Sequence, residues 1–95
     1  MSEKIDAIVI NAADNVAVAI TEICANTNSA IKGDGFEDIC LVLNDIPFGH
    51  KIALVDLDLG NSVYKYGAVI GVATKKICRG ERVDHSNIAG LRGKL

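Results

Sequence analysis

Two short segments of the sequence combine a glycine with side chains that can do chemistry. Gly49-His50-Lys51 sets an imidazole and an ammonium group beside a glycine, at a predicted turn before a strand. His50 can act as an acid, a base or a metal ligand, and Lys51 can bind a carboxylate. Lys65-Tyr66-Gly67 supplies a cation, a phenolic hydroxyl and a glycine that lets the backbone approach a ligand. Taken alone, both segments are more typical of solvated surface turns than of a site.

A third polar cluster, Asp84-His85-Ser86-Asn87, contains the residue types of a hydrolytic triad. A triad needs groups that the fold brings together, and adjacent residues of an extended chain point to opposite faces. The cluster is therefore expected to be a turn in which Asp84, Ser86 and Asn87 satisfy nearby backbone groups. A metal site here would need further ligands from His50 or from another chain.

Two other polar features are assigned no catalytic role. Gly33-Asp34-Gly35 lacks the spacing of a phosphate-binding loop and its following Lys-Ser/Thr, so it predicts a hairpin or a loop. Asp45, Asp56 and Asp58 are expected to lie on a solvated face and not at a metal ion.

The composition indicates one small globular domain, 1–95. The 95 residues are 49% apolar, 23% charged and 4% aromatic, and the net charge is −2. The core must therefore be aliphatic, and the charge argues against nucleic acid or an anionic membrane as a partner. No apolar run approaches the roughly 20 residues that cross a bilayer, and the N-terminus does not resemble a signal peptide.

The cysteines and the C-terminal tail complete this general description. Cys24, Cys40 and Cys78 fit neither a metal motif nor a disulfide framework. Each is expected to be a small buried hydrophobe in a reducing compartment, which places the protein in the cytoplasm. The tail, 88–95, is expected to be a mobile linker unless a partner holds it.

Short β-branched segments predict a mainly β fold with at most one short helix. The segment 16–20 is ambiguous, because Asp14 could cap a helix and the apolar spacing is also helical. Its β-branched density favours a strand, with a helical turn at 21–25. Predicted strands cover 5–10, 16–20, 36–43, 51–55, 62–65 and 69–74.

One short pattern recurs along the chain. Ile46-x-x-Gly49, Leu57-x-x-Gly60 and Ile77-x-x-Gly80 each continue to an apolar residue three positions later, and Ile23-x-x-Asn26 is a weaker fourth copy. The pattern predicts a corner: an apolar anchor, a reversal that needs a positive φ, and entry into the next strand. Asn tolerates a positive φ next best after Gly.

Four ordered motifs resemble the N-terminal SAF-type domain of the altronate and galactarate dehydratase family, and the sulfolactate sulfo-lyase small subunit is similar. They cover nearly the whole chain: Asp14-Asn15-Val16-Ala17-Val18-Ala19, Gly49-His50-Lys51-Ile52-Ala53-Leu54, Lys65-Tyr66-Gly67-x-x-Ile70-Gly71 and Ile77-x-x-Gly80-Glu81-x-Val83. The resemblance implies a small β-clip domain. It also implies the small subunit of a hydro-lyase that converts a sugar acid to a 2-keto-3-deoxy acid.

The same resemblance implies how a site would be built. His50 and Lys51 would be catalytic, and Lys65, Tyr66 and Gly67 would bind substrate. A large subunit would complete the active site, and a divalent metal, iron or manganese, would be held mainly by that partner. Self-association of the chain is left open.

One departure from the family pattern concerns metal binding. The family commonly has Val-His-x-His-Asn where this chain has Val83-Asp84-His85-Ser86-Asn87. Asp84 and His85 remain weak candidates for metal ligands, and Ser86 is a poor replacement for histidine. This change favours an alternative function, a non-catalytic SAF-like module for ligand binding or assembly.

Overall fold

The computed structural model describes residues 4–90, and within them it contains nine strands and no helix. The mainly β fold is thus confirmed, and the part of the chain described offers no helix long and apolar enough to cross a membrane. The strands are β1 Ala7–Ile8, β2 Val16–Ala19, β3 Thr27–Gly33, β4 Phe36–Val42, β5 Lys51–Ala53, β6 Ser62–Lys65, β7 Ala68–Ala73, β8 Arg82–Val83 and β9 Ile88–Gly90.

The strands form two sheets, and their buried aliphatic side chains form two clusters, of which the second contains residues of both sheets. The larger sheet has the order β4-β3-β1-β2-β5-β8, and the smaller has the order β6-β7-β9. Pairing is antiparallel throughout, except that β1 and β3 run parallel. Ile31 and Ile52 centre one core, and Val63 and Ile77 centre the other, all four without solvent exposure.

The ambiguous segment is a strand, as predicted. β2 lies between β1 and β5, with Ala19 opposite Ala7 and Val16 opposite Ala53. A central strand buried on both faces shows little alternation, which explains why its apolar spacing also fitted a helix. The predicted helical turn at 21–25 is wrong, because Ile23 there forms an antiparallel bridge with Ile46.

All four predicted corners are present, including the weaker copy at Asn26. The anchors pair two by two, Ile23 with Ile46 and Leu57 with Ile77, and each is at most 4% exposed. The fourth residue of each corner has a positive φ, between 66° and 93°. These residues are Asn26, Gly49, Gly60 and Gly80.

The corners also share one backbone hydrogen bond. The N–H of each positive-φ residue donates to the carbonyl four residues before the partner anchor, so each corner is closed by the strand that enters the opposite corner. At Gly80 the available space also requires glycine, since a Cβ would lie 2.2 Å from the carbonyl oxygen of Leu41. The four bonds are Asn26 to Val42, Gly49 to Ala19, Gly60 to Ala73 and Gly80 to Ala53.

Several strand boundaries differ from the predictions. The first strand is confined to Ala7–Ile8 within the predicted 5–10. The strands Thr27–Gly33 and Arg82–Val83 were not predicted, because the former is largely polar and the latter has two residues. The expected linker at 88–95 is corrected at its start. Ile88–Gly90 pair with β7 and bury Ile88, and 91–95 lie outside the described residues.

The cysteine prediction holds for one residue of three. Cys40 is buried on the core face of β4, as expected. Cys24 and Cys78 are exposed, so their predicted burial is wrong. Each directly follows a buried corner anchor, Ile23 or Ile77, and side chains of successive extended residues point to opposite sides.

Candidate functional site

The fold brings Gly49-His50-Lys51 against Val83-Asp84-His85 around a shallow pocket of about 220 Å³. The two segments meet because β5 pairs with β8, with Lys51 opposite Val83. Val83 is buried and forms the floor, while His50 and His85 are exposed at the edge. Four of the predicted site residues, His50, Lys51, Asp84 and His85, therefore share one surface.

Lys51 is the half-buried cation of this pocket. Burial lowers the pKa of its ammonium group, and the positive charge of Lys65 lowers it further, while Asp84 acts in the opposite direction. Lys65 thus lies near enough for its charge to act on the pocket. Within residues 4–90, no carboxylate lies within ion-pair distance of the Lys51 ammonium.

Asp84 is held in a closed turn, as the sequence predicted for this cluster. Its Oδ1 accepts hydrogen bonds from the Ser86 hydroxyl at 2.6 Å and the Ser86 N–H at 2.9 Å. Its Oδ2 accepts from Arg82 Nε at 3.1 Å. The bonds from Ser86, aided by Arg82, hold the pKa of the Asp84 carboxyl below its ordinary value. Asn87 completes the turn by accepting from the Asp84 N–H at 2.9 Å.

This arrangement does not fit a divalent metal ion. Among residues 4–90, no three His, Cys, Asp or Glu side chains are grouped so that they could hold one. Both Asp84 oxygens already accept hydrogen bonds, and the pocket beside them is lined by the cationic Lys51 together with His50 and His85. A divalent cation needs several oxygen or nitrogen ligands, and the positive charge of Lys51 would repel it from this pocket.

Tyr66 and Gly67 lie at the tip of the β6–β7 hairpin and not among the residues that line the pocket. Both have a positive φ, 58° and 73°, which is the geometry of a tight two-residue hairpin turn. Tyr66 is 64% exposed, and the Lys65 ammonium lies 5.0 Å from the centre of its ring. The predicted role of these residues in substrate binding stays a prediction.

Asp14 and Asn15 attach this hairpin to the larger sheet, a role that sequence analysis missed. Asp14 accepts hydrogen bonds from the N–H groups of Tyr66 at 3.0 Å and Gly67 at 2.8 Å. Asn15 accepts from the Tyr64 N–H at 2.8 Å and donates to the Ser62 carbonyl at 2.9 Å. The sequence signal for this role was that both residues stand just before a strand. That placement did not suffice to predict the role, because it also fits a helix cap.

Two of the acidic residues expected on a solvated face also brace corners. Asp45 accepts from the Ala25 N–H and Asp56 from the Arg79 N–H, each at 2.8 Å. Each carboxylate directly precedes one anchor and bonds the corner of the partner anchor. Asp45, Asp56 and Asp58 are all exposed, as predicted.

Residues 4–90 form two small sheets without a helix, and two of the four corners, 57–60 and 77–80, connect one sheet to the other. This architecture belongs to the mainly β class that the SAF-type resemblance implies. Comparison with known families identifies it further. The family model of the altronate/galactarate dehydratase SAF domain matches residues 5–91. The chain belongs to this family.

Three curated relatives carry the same domain. Galactarate dehydratase (L-threo-forming) of Escherichia coli (strain K12) is 37% identical over 75 residues, 79% of this chain and 13% of the relative. The altronate dehydratases of Escherichia coli (strain K12) and Bacillus subtilis (strain 168) are each 36% identical over 78 residues, 82% of this chain and 15% of the relative. The chain thus spans about one seventh of the length of these relatives.

Proposed function

We propose that the chain is the small subunit of a carbon–oxygen hydro-lyase. It would dehydrate a sugar acid such as altronate or galactarate to a 2-keto-3-deoxy acid, with the active site completed by a separate large subunit in the cytoplasm. The relatives named as dehydratases support the reaction class. The observation that carries the proposal for this chain is the pocket in which His50 lies beside the half-buried Lys51.

The chemistry sets the tasks for these residues. Dehydration removes the α-proton, stabilises the resulting enediolate and expels the β-hydroxyl as water; the enol product then tautomerises to the 2-keto acid. Lys51 would bind the substrate carboxylate, where negative charge increases as the enediolate forms. His50, exposed at the pocket edge, would carry a proton between substrate and solvent.

Lys65, Tyr66 and Gly67 would contribute to substrate binding from the neighbouring hairpin. The effect of Lys65 on the pKa of Lys51 supports a place for its charge near the bound acid. For Tyr66, the exposed ring would contact substrate or the partner subunit above the pocket.

Co-purification with an activity assay tests this proposal. The tagged chain is expressed in its native cells, its partners are identified by mass spectrometry, and the complex is assayed with altronate and galactarate for 2-keto product. We expect a dehydratase-like chain and 2-keto product. A complex with neither activity nor such a chain would contradict the proposal. Loss of activity in His50→Ala and Lys51→Ala, with the complex intact, would assign the site.

A non-catalytic binding or assembly module is the second candidate. It is favoured by Asp84 and Ser86, which stand where the family commonly has histidines and which bond to each other at 2.6 Å. Co-purification without turnover on hydroxy acids would favour this function. Release of sulfite from sulfolactate by the complex would instead indicate a sulfo-lyase.

A further inference from the structure

We infer that the pocket between Gly49-His50-Lys51 and Val83-Asp84-His85 binds the carboxylate end of a hydroxy acid directly, without a metal ion. The inference rests on the proposed function for the choice of a hydroxy acid as the ligand. The binding mode itself follows from the charges, contacts and size of the pocket.

The first argument is the unpaired charge of Lys51. Other half-buried basic residues face a carboxylate: Lys32 lies 3.3 Å from Glu37, Arg79 lies 3.0 Å from Asp38, and Arg82 lies 3.1 Å from Asp84. Within residues 4–90, Lys51 has no such neighbour in ion-pair range. Partial burial of an uncompensated charge costs free energy, and an anion in the pocket would offset that cost.

The second argument is that the carboxylate oxygens of Asp84 are already hydrogen-bonded and so are not free to bind a metal ion. Its Oδ1 is bonded twice by Ser86 and its Oδ2 by Arg82, so coordination of a metal would break these bonds. Arg82 pairs with Asp84 at 3.1 Å, and within residues 4–90 neither Lys51 nor the nearby Lys65 has a carboxylate within ion-pair distance. The pocket therefore attracts an anion and repels a divalent cation.

The third argument is size. At about 220 Å³ and open to solvent, the pocket is smaller than the roughly 300–1,000 Å³ typical of sites that enclose a drug-sized ligand. It accommodates one end of an extended acid, with the carboxylate at Lys51. The hydroxylated remainder would extend toward the exposed His50 and His85.

The test is a nuclear magnetic resonance titration of the full chain with galactarate, against potassium chloride at matched ionic strength. We expect saturable shifts of the amides at 49–51 and 83–85, unchanged by EDTA. Lys51→Gln should weaken binding about tenfold or more, since it removes a charged hydrogen bond. Lys51→Arg should retain most of the affinity. Lys75→Gln, which removes an exposed lysine outside the pocket lining, should bind as the unmodified chain does.

The metal arm uses Mn²⁺ as a paramagnetic probe. We expect no selective broadening of the same amides, and galactarate shifts that do not depend on Mn²⁺. Three outcomes would each overturn the inference: saturable broadening at 49–51 and 83–86, galactarate shifts that require Mn²⁺, or no galactarate shifts at all.

If one of these outcomes is observed while the co-purified complex is active, the inference fails and the proposed hydro-lyase function still stands. Metal-free binding without a dehydratase partner would remove that function and keep the site.

Discussion

Gly49-His50-Lys51 and Lys65-Tyr66-Gly67 have nearly the same ingredients in the sequence, yet the fold uses them differently. Gly49 forms a corner whose following residues open onto a pocket, and Lys51 remains half-buried without a carboxylate partner among residues 4–90. In the second segment, the N–H groups of Tyr66 and Gly67 are both bound by Asp14.

The difference shows what identifies a site in a domain of this size. The two segments have similar residue types, and their hydrogen bonding is what distinguishes the structural segment from the candidate site. Where the backbone donors of a turn are satisfied by a distant carboxylate, the residues hold two sheets together. Where a charge is partly buried without compensation, the structure bears a cost that a ligand can relieve.

The largest expected effect is on the hairpin side of the comparison. Asp14→Ala leaves the N–H groups of Asn11, Tyr66 and Gly67 without their carboxylate, so we expect a loss of about 2–4 kcal/mol in the free energy of unfolding. Urea unfolding measures it. Asp58→Ala, which removes an exposed carboxylate, is the control and should stay within about 0.5 kcal/mol. Equal effects of the two substitutions would show that Asp14 does not fasten the hairpin.

The turn at Asp84, beside the pocket, should contribute less to stability than Asp14 does, and its contribution should depend on pH. Asp84→Ala removes the bonds from Ser86 and Arg82, and we expect a loss of about 1–2 kcal/mol at neutral pH. Since the folded-state pKa of Asp84 lies below its ordinary value of 3.8, this contribution is complete above that pH and disappears as pH falls through the folded pKa. Urea unfolding as a function of pH should show the two proteins converging in acid. A difference independent of pH would contradict the role of the carboxylate charge.

On the pocket side of the comparison, a substitution should raise the free energy of unfolding instead of lowering it. Lys51→Met removes a partly buried charge, so we expect stability to rise by about 0.5–2 kcal/mol while galactarate binding is lost. The folded-state pKa of Lys51 lies below its ordinary value of 10.5, so the unfolded chain binds more protons between those values and the stability of the unmodified protein rises with pH there. The advantage of Met should shrink toward pH 10.5. Destabilisation by this substitution would mean that Lys51 has a structural partner.

The smallest effect should come from the hairpin tip. Tyr66→Asn replaces a residue at φ 58° by one that favours this conformation, at the loss of the Lys65–ring contact. We expect stability to remain within about 0.5 kcal/mol of the unmodified protein. Tyr64→Asn, two residues earlier within β6, should be destabilising, since asparagine is unfavourable in strands. Thermal unfolding of both variants checks the contrast.

The corners are the part of the fold that the sequence predicts best. A buried anchor followed three residues later by Gly or Asn is a local rule, and it holds at Asn26 as well as at the glycines. Each of the six predicted strand segments also overlaps a strand, and 62–65 matches β6 in full. Thr27–Gly33 was missed because a polar strand beside an edge strand leaves little apolar pattern.

The site was predictable in part. Gly49-His50-Lys51 could be singled out from its residues, and its meeting with Asp84 and His85 required the pairing of β5 with β8. The bond from Asp14 to Gly67 joins residues 53 positions apart, and no local pattern specifies it. The compensation of Asp84 by Ser86 and Arg82 likewise appears only once the turn is built.

The most direct measurement is turnover of the assembled enzyme carrying Lys51→Gln, beside the same complex carrying Lys75→Gln. If the pocket holds the substrate carboxylate, kcat/KM on the sugar acid should fall about a hundredfold or more for Lys51→Gln, as expected for a lost charged contact to the reacting acid. It should remain near the unmodified value for Lys75→Gln. Equal turnover in the two complexes would contradict the central claim that this pocket binds the acid.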